Sequence, residues 1–414
     1  MATAHPIAAV APAPGRISVR RLRLTDFRCY QTLRLDVDGR PVVLTGPNGA
    51  GKTNLLEALS LLVPGRGLRR ARLTEISRRI ASDDPDHVRP WAVAARLEAG
   101  EGAFEIGTGL DADGAASGDA ARRTVRIDGE TARGQSALAD RVAALWLTPD
   151  MQRLFTDGSS GRRRFLDRLV YAFDPAHAGR ISAYERANRE RARLLRDAAE
   201  ARRAADPAWA TALEDTMAER GVAIAAARNE LLRRLNPACA AGIGPFPAAG
   251  LAIDGTVESW LDDAPAVEVE DRFRAALASS RAADGAAGGA VTGPHRSDLA
   301  VTHLGRGLPA AQCSTGEQKA VLVSIVLANA RLRAADTGSV PLLLLDEIAA
   351  HLDGARREAL FAEIRALGAQ AWMTGTDVAL FAPLGNDAAY FTIEDARIVG
   401  ASIETGTMLQ GAFS

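Results

Sequence analysis

The chain has 414 residues, 47% of them hydrophobic, so it can bury a sizeable core and has the length of two or three domains. Its 50 basic and 51 acidic residues nearly cancel, which gives no whole-protein signature of nucleic-acid binding; any such face must come from local segregation of arginine. The longest apolar runs are far below the roughly 18 residues of a membrane span. Three scattered cysteines, Cys29, Cys239 and Cys313, argue against a disulfide framework or a structural zinc site and are expected as buried thiols.

The opening MATAHPIAAVAPAPG lacks a basic n-region and a continuous apolar h-region, so it is expected as a disordered Ala/Pro tail on a cytoplasmic protein. From Arg16 to Arg34 apolar and basic residues alternate with the period of a half-buried strand, which predicts a β-hairpin. PVVLT, Pro41 to Thr45, is a short apolar strand. A glycine-rich turn follows, then KTNLLEALSLLV, whose Leu55, Leu56, Leu59 and Leu62 recur at helical spacing. Further strand-like pieces, WAVAARLEA, AFEIGTGL, TVRIDGE and finally ALWLTPD, predict an antiparallel layer beside the sheet that holds PVVLT.

Between Ile181 and Leu235 the composition turns to Ala, Arg, Glu and Leu, with a break at Pro207, which predicts two long helices folding back on each other. A Gly/Ala-rich stretch, Ala282 to Gly293, reads as a link back toward core-like sequence, so the helices form an insertion in a discontinuous domain. The final third alternates helix and strand, the pattern of a parallel α/β fold.

The turn after PVVLT reads GPNGAGKT, Gly46 to Thr53, and satisfies the phosphate-binding pattern GxxxxGK[ST] between an apolar strand and an amphipathic helix. Its glycines let backbone N–H groups approach phosphates at a helix N-terminus; Lys52 reaches the β/γ oxygens, and Thr53 offers its hydroxyl to Mg2+. LLLLDE, Leu342 to Glu347, has the form of a buried parallel strand ending in two carboxylates. Asp346 would hold Mg2+ and Glu347 would polarise the attacking water as general base. An apolar run ending in DE is a weak signal alone and a strong one beside the phosphate loop.

STGEQK, Ser314 to Lys319, stands about 30 residues before LLLLDE, and Lys52 and Lys319 are the only lysines of the chain. A serine and a glycine ahead of a helix are also ordinary helix capping, and that reading stands beside the functional one. The order of phosphate loop, long insertion, S-x-G-x-Q, LLLLDE and then HLD (His351 to Asp353) resembles the ABC-type ATPases. In that family the signature of one subunit closes over the γ-phosphate held by the phosphate loop of another, which implies an ATP-dependent homodimer.

About 260 residues between the motifs is too long for a transport ATPase and too short for the coiled coil of SMC-type proteins. LRLTDFRCYQTLRLD, LTPDMQRLFTDGSSGRRRFLDRLV, YERANRERARLLR and TGPHRSDL (Thr292 to Leu299) resemble the corresponding elements of the RecF family of bacterial recombination mediators. The likeness runs over nearly the whole chain after the tail. It departs from the family pattern at the first of the two consecutive glutamines of the signature, here Glu317, and at the acid after GPHR, here Ser297.

The resemblance implies an α/β, ABC-type ATPase head, a mixed sheet with helices plus an antiparallel β layer, carrying an inserted mostly helical lobe. Its parts would be a tail (1–15), the N-terminal part of the head (16–170), the lobe (171–290) and the C-terminal part of the head (291–414). ATP would be held by Gly46, Pro47, Asn48, Gly49, Ala50, Gly51, Lys52, Thr53, Asn54 and Asp346. Arg28 would touch the nucleotide. Ser314, Gly316 and Gln318 would form the signature, Asp353 the D-loop, and Thr376 would occupy the switch position; Lys52 and Glu347 would be catalytic, with Mg2+ on Thr53 and Asp346.

The implied function is ATP-dependent DNA binding in recombinational repair and replication, near single-strand gaps, with weak DNA-stimulated ATPase activity and with RecO, RecR and RecA as partners. The alternatives are a soluble ABC subunit driving a transporter and a small-molecule P-loop kinase. Arginine clusters at Arg66 to Arg72, Arg78-Arg79, Arg162 to Arg164 and Arg189 to Arg196 are candidate phosphate-binding faces. Solvated helix surface with i,i+4 pairs is the favoured reading for the last of them. No aromatic residues interleave with these runs, so binding would be led by the DNA backbone rather than by sequence.

Overall fold

The computed structural model describes residues 16–80, 87–100, 102–113, 122–201, 203–402 and 409–410. The expected tail, residues 1–15, lies outside them. The first elements are β1 (Ser18–Phe27), β2 (Tyr30–Asp36), β3 (Val42–Thr45), α1 (Lys52–Ser60), α2 (Leu73–Ile76), β4 (Trp91–Ala99), β5 (Gly102–Leu110), β6 (Thr124–Ile127), β7 (Glu130–Thr131) and β8 (Ala144–Leu147). A helical stretch follows with α3 (Ser159–Tyr171), α4 (His177–Glu200) and α5 (Pro207–Ala241), then β9 (Ala249–Asp254), α6 (Thr256–Asp263), α7 (Ala266–Ser279) and α8 (Arg281–Ala287). The chain continues through β10 (Asp298–His303), β11 (Leu308–Pro309), α9 (Thr315–Thr337), β12 (Leu342–Leu345), α10 (Gly354–Leu367), β13 (Ala371–Thr374), β14 (Ala389–Glu394), β15 (Arg397–Ser402) and β16 (Leu409–Gln410).

Among the described residues the chain divides into two compact units. One runs to Met151 and takes in Gly244–Phe246 and everything from Asn329; the other comprises Gln152–Ile243 and Pro247–Ala328. The positions 171 and 290, expected as limits of the helical lobe, both fall within the second unit.

The first unit holds two sheets. A seven-stranded sheet has the order β16-β15-β14-β3-β13-β12-β8, with β14, β3, β13, β12 and β8 parallel and β15 and β16 added antiparallel at one edge. VVLT, ALWL, LLLL and AWMT are buried at every position, as strands covered on both faces must be. ALWL therefore belongs to this sheet, where β8 runs parallel to β12, and not to the antiparallel layer in which the sequence placed it. Its uninterrupted apolar run, without alternation, is the physical reason.

The second sheet of this unit is antiparallel throughout, in the order β2-β1-β4-β5-β6-β7. Here burial alternates: Leu22, Leu24, Val93, Leu97 and Ile106 point inward and Arg23, Arg96 and Glu105 outward. The inward set shares one core with Leu55, Leu56 and Leu59 of α1 and with Leu342 and Leu344. Buried Gln370 exchanges two hydrogen bonds with the backbone of Val19, at 2.7 and 3.0 Å, and so joins β1 to the loop before β13.

In the second unit α4 and α5 fold back on each other as the sequence predicts. Pro207 is the first residue of α5, where its missing N–H costs nothing, and Asp206 caps that helix by accepting from Ala208 N (2.9 Å) and Trp209 N (3.2 Å). The stretch expected as a Gly/Ala link is partly helical. α8 occupies its first half because Asp284 is buried there and accepts hydrogen bonds from Arg191, Ser280 and the Val291 backbone. α6 and α7, which the sequence reading passed over, pack Val257, Val269, Phe273 and Leu277 against Tyr184, Met217 and Val222. β11, β10 and β9 form a small antiparallel sheet in this unit.

Candidate functional site

The phosphate loop leaves the end of β3 and enters α1. Gly46, Gly49 and Gly51 have φ of 135°, 81° and 112°, which side chains rarely adopt. At Gly46 a Cβ would stand 2.0 Å from the Ile393 carbonyl oxygen, and at Gly51 it would meet the Tyr30 hydroxyl at 2.6 Å. Those two glycines are dictated by the fold. Gly49 has open space around it, so its left-handed backbone alone accounts for the residue type. Ala50 O accepts from Ala396 N (3.1 Å), in the tight β14–β15 turn where Asp395 and Ala396 both have positive φ.

Lys52 is 5% exposed and donates to the carbonyls of Gly46 (2.7 Å) and Pro47 (2.8 Å). Burial pushes its pKa down, while the carboxylates of Glu347 and Asp346 push it back up. Thr53 Oγ1 donates to Asp346 Oδ1 (2.9 Å) and lies 3.2 Å from Oδ2. The loop after β3 and the end of β12 thus meet at a hydroxyl and a carboxylate, a hard oxygen pair of the kind that takes Mg2+ with phosphate oxygens and waters completing the shell. The donor set fits that ion.

A third residue completes the cluster and was not identified from sequence. Thr374, the last residue of β13, is buried; its hydroxyl donates to Asp346 Oδ1 (2.7 Å) and accepts from Glu347 N (2.9 Å). Glu347 has φ 55°, a backbone conformation costly for a non-glycine residue, and Thr374 holds it there. The local sequence of Thr374 carries no signal; only the pairing of β13 beside β3 brings it to the loop. Thr376, expected at the switch position, is exposed on the turn two residues later.

The remaining expected residues of this unit are placed as follows. Arg28, with φ 53°, pairs with Glu57 (2.8 and 2.6 Å) and donates to Glu75 O (2.8 Å). Glu57 is buried, and its carboxylate also accepts from Arg69 at 3.0 Å; it was likewise missed from sequence, hidden in the helix pattern. Asn54 accepts from Arg69 (2.6 Å) and donates to the Cys29 sulfur (3.0 Å). Cys29 is exposed, contrary to the expectation of a buried thiol; Cys239 and Cys313 are buried. Asp353 caps α10 by accepting from Arg356 N (2.9 Å).

The signature lies in the second unit, at the start of α9. Ser314 Oγ donates to Glu317 Oε2 (2.9 Å), Ser314 N donates to the same oxygen (3.0 Å), and Arg306 forms an ion pair with Glu317. Those bonds draw the Glu317 pKa down. Gln318 is buried, with its amide donating to the carbonyls of Cys313 (2.9 Å) and Ala311 (3.3 Å), so it fastens the turn that precedes the helix. Gly316 is exposed, has no positive φ and has nothing within 4 Å of where a Cβ would stand. Its own fold does not require a glycine there, although glycine in a helix costs about 1 kcal/mol relative to alanine.

The arginine clusters separate by burial. Arg191 is fully buried, donating to Glu214 (2.9 Å), Asp284 (2.7 Å) and Leu277 O (2.6 Å), and is structural. Arg189 forms a surface pair with Glu185 (3.6 Å), the i,i+4 arrangement expected for that helix. Arg162 holds both oxygens of Asp298 at 2.7 Å, and Arg163 donates to Ser159 (2.8 Å) and Ser297 O (2.7 Å), so neither guanidinium faces outward unoccupied. Arg66 and Arg79 are exposed with no acidic partner among the described residues.

Residues 18–382 match the family model described as RecF/RecN/SMC N terminal domain. The chain is 51% identical over 381 residues to the DNA replication and repair protein RecF of Caulobacter vibrioides, covering 91% of this chain and 96% of that protein. It is 49% identical over 391 residues to the protein of the same name from Mesorhizobium japonicum, covering 93% and 98%. Among solved structures it is similar to the recombination mediator protein RecF of the RecFOR pathway. The RecF-ATP structure gives a TM-score of 0.77 at 19% identity, covering 93% of this chain and 98% of that one. The RecF-ATPrS structure gives 0.76 at 19%, covering 92% and 97%. With the phosphate loop, the paired carboxylates and the signature all in place on that fold, the chain belongs to the RecF family.

Proposed function

We propose that this chain is an ATP-gated DNA-binding protein of replication and recombinational repair, in which ATP joins two copies head to head and hydrolysis releases them. Lys52 would leave the carbonyls of Gly46 and Pro47 for the β/γ-phosphates, with the loop N–H groups facing the same oxygens. Thr53 and Asp346 would hold Mg2+, which offsets phosphate charge when bound. Glu347, fixed by Thr374, would orient the attacking water and take its proton.

The observation that carries the two-copy reading is Gly316. A helix residue that the chain's own packing leaves free to be larger, at the position where a partner's phosphate would approach, is explained by close contact with a second molecule. Ser314 would exchange Glu317 for the γ-phosphate oxygen of that partner. Partners of the RecO and RecR kind, and delivery of a recombinase such as RecA, follow from family membership and from the name of the RecFOR pathway in the related structures. Among the described residues no helix is long and apolar enough to cross a membrane.

The test is duplex and gapped DNA binding by gel shift with and without ATP, for wild type, Lys52→Arg and Ser314→Arg. Wild type should be retained more strongly with ATP, and both variants should lose that increment, Lys52→Arg with weakened nucleotide binding and Ser314→Arg with nucleotide binding intact. Wild-type binding that ignores ATP would overturn the gating and favour the transporter-subunit or kinase alternatives.

A further inference from the structure

The outward face of the six-stranded sheet has a residue pattern that the nucleotide site does not use. Register places Arg34 opposite Arg23, Arg23 opposite Ala94, Ala94 opposite Gly107 and Gly107 opposite Arg126, in one row across β2, β1, β4, β5 and β6. The adjoining row reads Asp36, Arg21, Arg96, Glu105, and the row on the other side reads Thr32, Thr25, Ala92, Gly109, Thr124. Arg23, Arg34, Arg96 and Arg126 are exposed.

Asp36 accepts from both Arg21 and Arg34. No ion pair joins Arg23, Arg96 or Arg126 to a carboxylate among the described residues. The face therefore carries cations that its own acids do not neutralise, on a floor of Ala, Gly and Thr. At about 4.8 Å between strands, Arg34 and Arg126 stand about 19 Å apart, enough to reach phosphates on both sides of a minor groove about 6 Å wide.

Two of these floor residues differ in a way that matters. A Cβ at Gly109 would meet the Trp91 carbonyl oxygen at 2.3 Å, so the fold demands that glycine. A Cβ at Gly107 would find its nearest neighbour, the Cβ of Arg126, at 3.8 Å, which is ordinary contact. Glycine in mid-strand weakens a strand and often marks a bulge, a tight bend or a site of close approach by another molecule; register is continuous across Gly107, which is not bulged. No aromatic side chain lies in these three rows, so the face has no platform for unstacked bases.

We propose that this sheet face, centred on Arg23, Ala94, Gly107 and Arg126 and flanked by Arg96, is a track for the sugar-phosphate backbone of duplex DNA. The proposal rests on the DNA-binding reading above and gives it a location. Contact is through guanidinium groups to phosphate oxygens, with the threonine hydroxyls as further donors, and is independent of sequence. The small residues at the centre let the duplex come within reach of the arginines on either side.

The test uses full-length protein and a fluorescein-labelled duplex, with anisotropy titrations in ATP between 50 and 200 mM salt. Arg23→Ala/Arg96→Ala/Arg126→Ala should lower the slope of log K against log salt by about 2–3, since each phosphate contact contributes about 0.9. Ala94→Glu, which adds one carboxylate to an open position, should weaken binding at least tenfold at 50 mM salt, and the triple lysine variant should retain most of the slope. Binding of a fluorescent ATP analogue should be unchanged in all of them, which separates loss of the track from loss of the fold. Wild-type slope and affinity in both the triple alanine variant and Ala94→Glu would overturn the track while leaving the DNA reading standing. If those variants instead lost binding to anionic lipid vesicles or to an acidic protein, the face would belong to that partner. Absence of any wild-type DNA binding at 50 mM salt would overturn the DNA reading, and the track with it.

Discussion

The hydroxyl of Thr374 donates to Asp346 at 2.7 Å while accepting from the backbone N–H of Glu347 at 2.9 Å, so one side chain sets both carboxylates that end β12. Replacing Thr374 by Val keeps the shape and removes both bonds, leaving a buried N–H unpaired at a cost of about 1–3 kcal/mol. Thermal denaturation should show that loss. Mg2+-dependent binding of ATP should weaken more than metal-free binding, and Thr374→Ser should behave nearly as wild type in both measurements.

Glu347→Gln removes the proposed general base and leaves the phosphate loop intact. Steady-state ATP hydrolysis should fall about 100-fold or more, in the range that general-base loss produces. Light scattering should show a dimer with ATP that persists where the wild-type dimer decays; a strictly monomeric Glu347→Gln variant in saturating ATP would sink the two-copy mechanism.

Glu317 places a carboxylate 2.9 Å from the Ser314 hydroxyl proposed to meet a partner's phosphate. Glu317→Gln keeps a group able to cap the helix and removes the charge. The concentration of ATP giving half-maximal dimer should fall several-fold, and the fall should shrink as salt rises. Arg306→Ala, which strips the cation from the wild-type carboxylate, should move it the opposite way.

Arg191 and Arg189 lie two residues apart on α4 with opposite fates. Arg191→Ala leaves Asp284 in the core of the second unit without its guanidinium, while Glu214 keeps its pair with Arg281, and should cost about 3–5 kcal/mol. Arg189→Ala should stay within about 0.5 kcal/mol of wild type. Chemical denaturation of the full chain, following the second unit by hydrogen exchange, distinguishes them.

His295 accepts from the Tyr184 hydroxyl at 2.7 Å through Nδ1 and reaches Ala290 O at 2.9 Å through Nε2, a pattern that suits the neutral ring. Burial pushes its pKa below the ordinary value near 6.5, opposed by the Ala290 carbonyl and Asp284 and aided by Arg296 and Arg163. The unfolded chain then binds the proton first as pH falls. The stabilising contribution is complete above about 6.5 and is lost progressively below it. The melting temperature should therefore drop between pH 7 and pH 5.5, and His295→Gln should flatten that part of the curve.

Much of the candidate nucleotide site was legible because its pattern is local in sequence: Gly46 to Thr53 needs only eight consecutive residues and the strand and helix beside them. Thr374 and Glu57 were not legible, since nothing in MTGTD or NLLEAL says that a hydroxyl or a carboxylate is turned inward. The arginine clusters misled for the same reason. RERARLLR contains a fully buried guanidinium and surface ones with no difference in local pattern, and Arg162 is committed to Asp298, 136 residues away. The basic row on the antiparallel sheet was invisible until register joined five strands, none of which contributes more than one arginine to that row. β8 was misplaced because a four-residue apolar run does not reveal its partner.

β3, the strand that launches the phosphate loop, pairs only with β13 and β14, so both its neighbours are made more than 320 residues after it. At about 5–20 residues per second, the ribosome takes tens of seconds to supply them. For most of that interval the nascent loop has neither neighbouring strand, Asp346 and Thr374 do not yet exist, and the groups that would hold nucleotide are not assembled. Completion of synthesis is thereby the first gate on this ATP site, ahead of any partner.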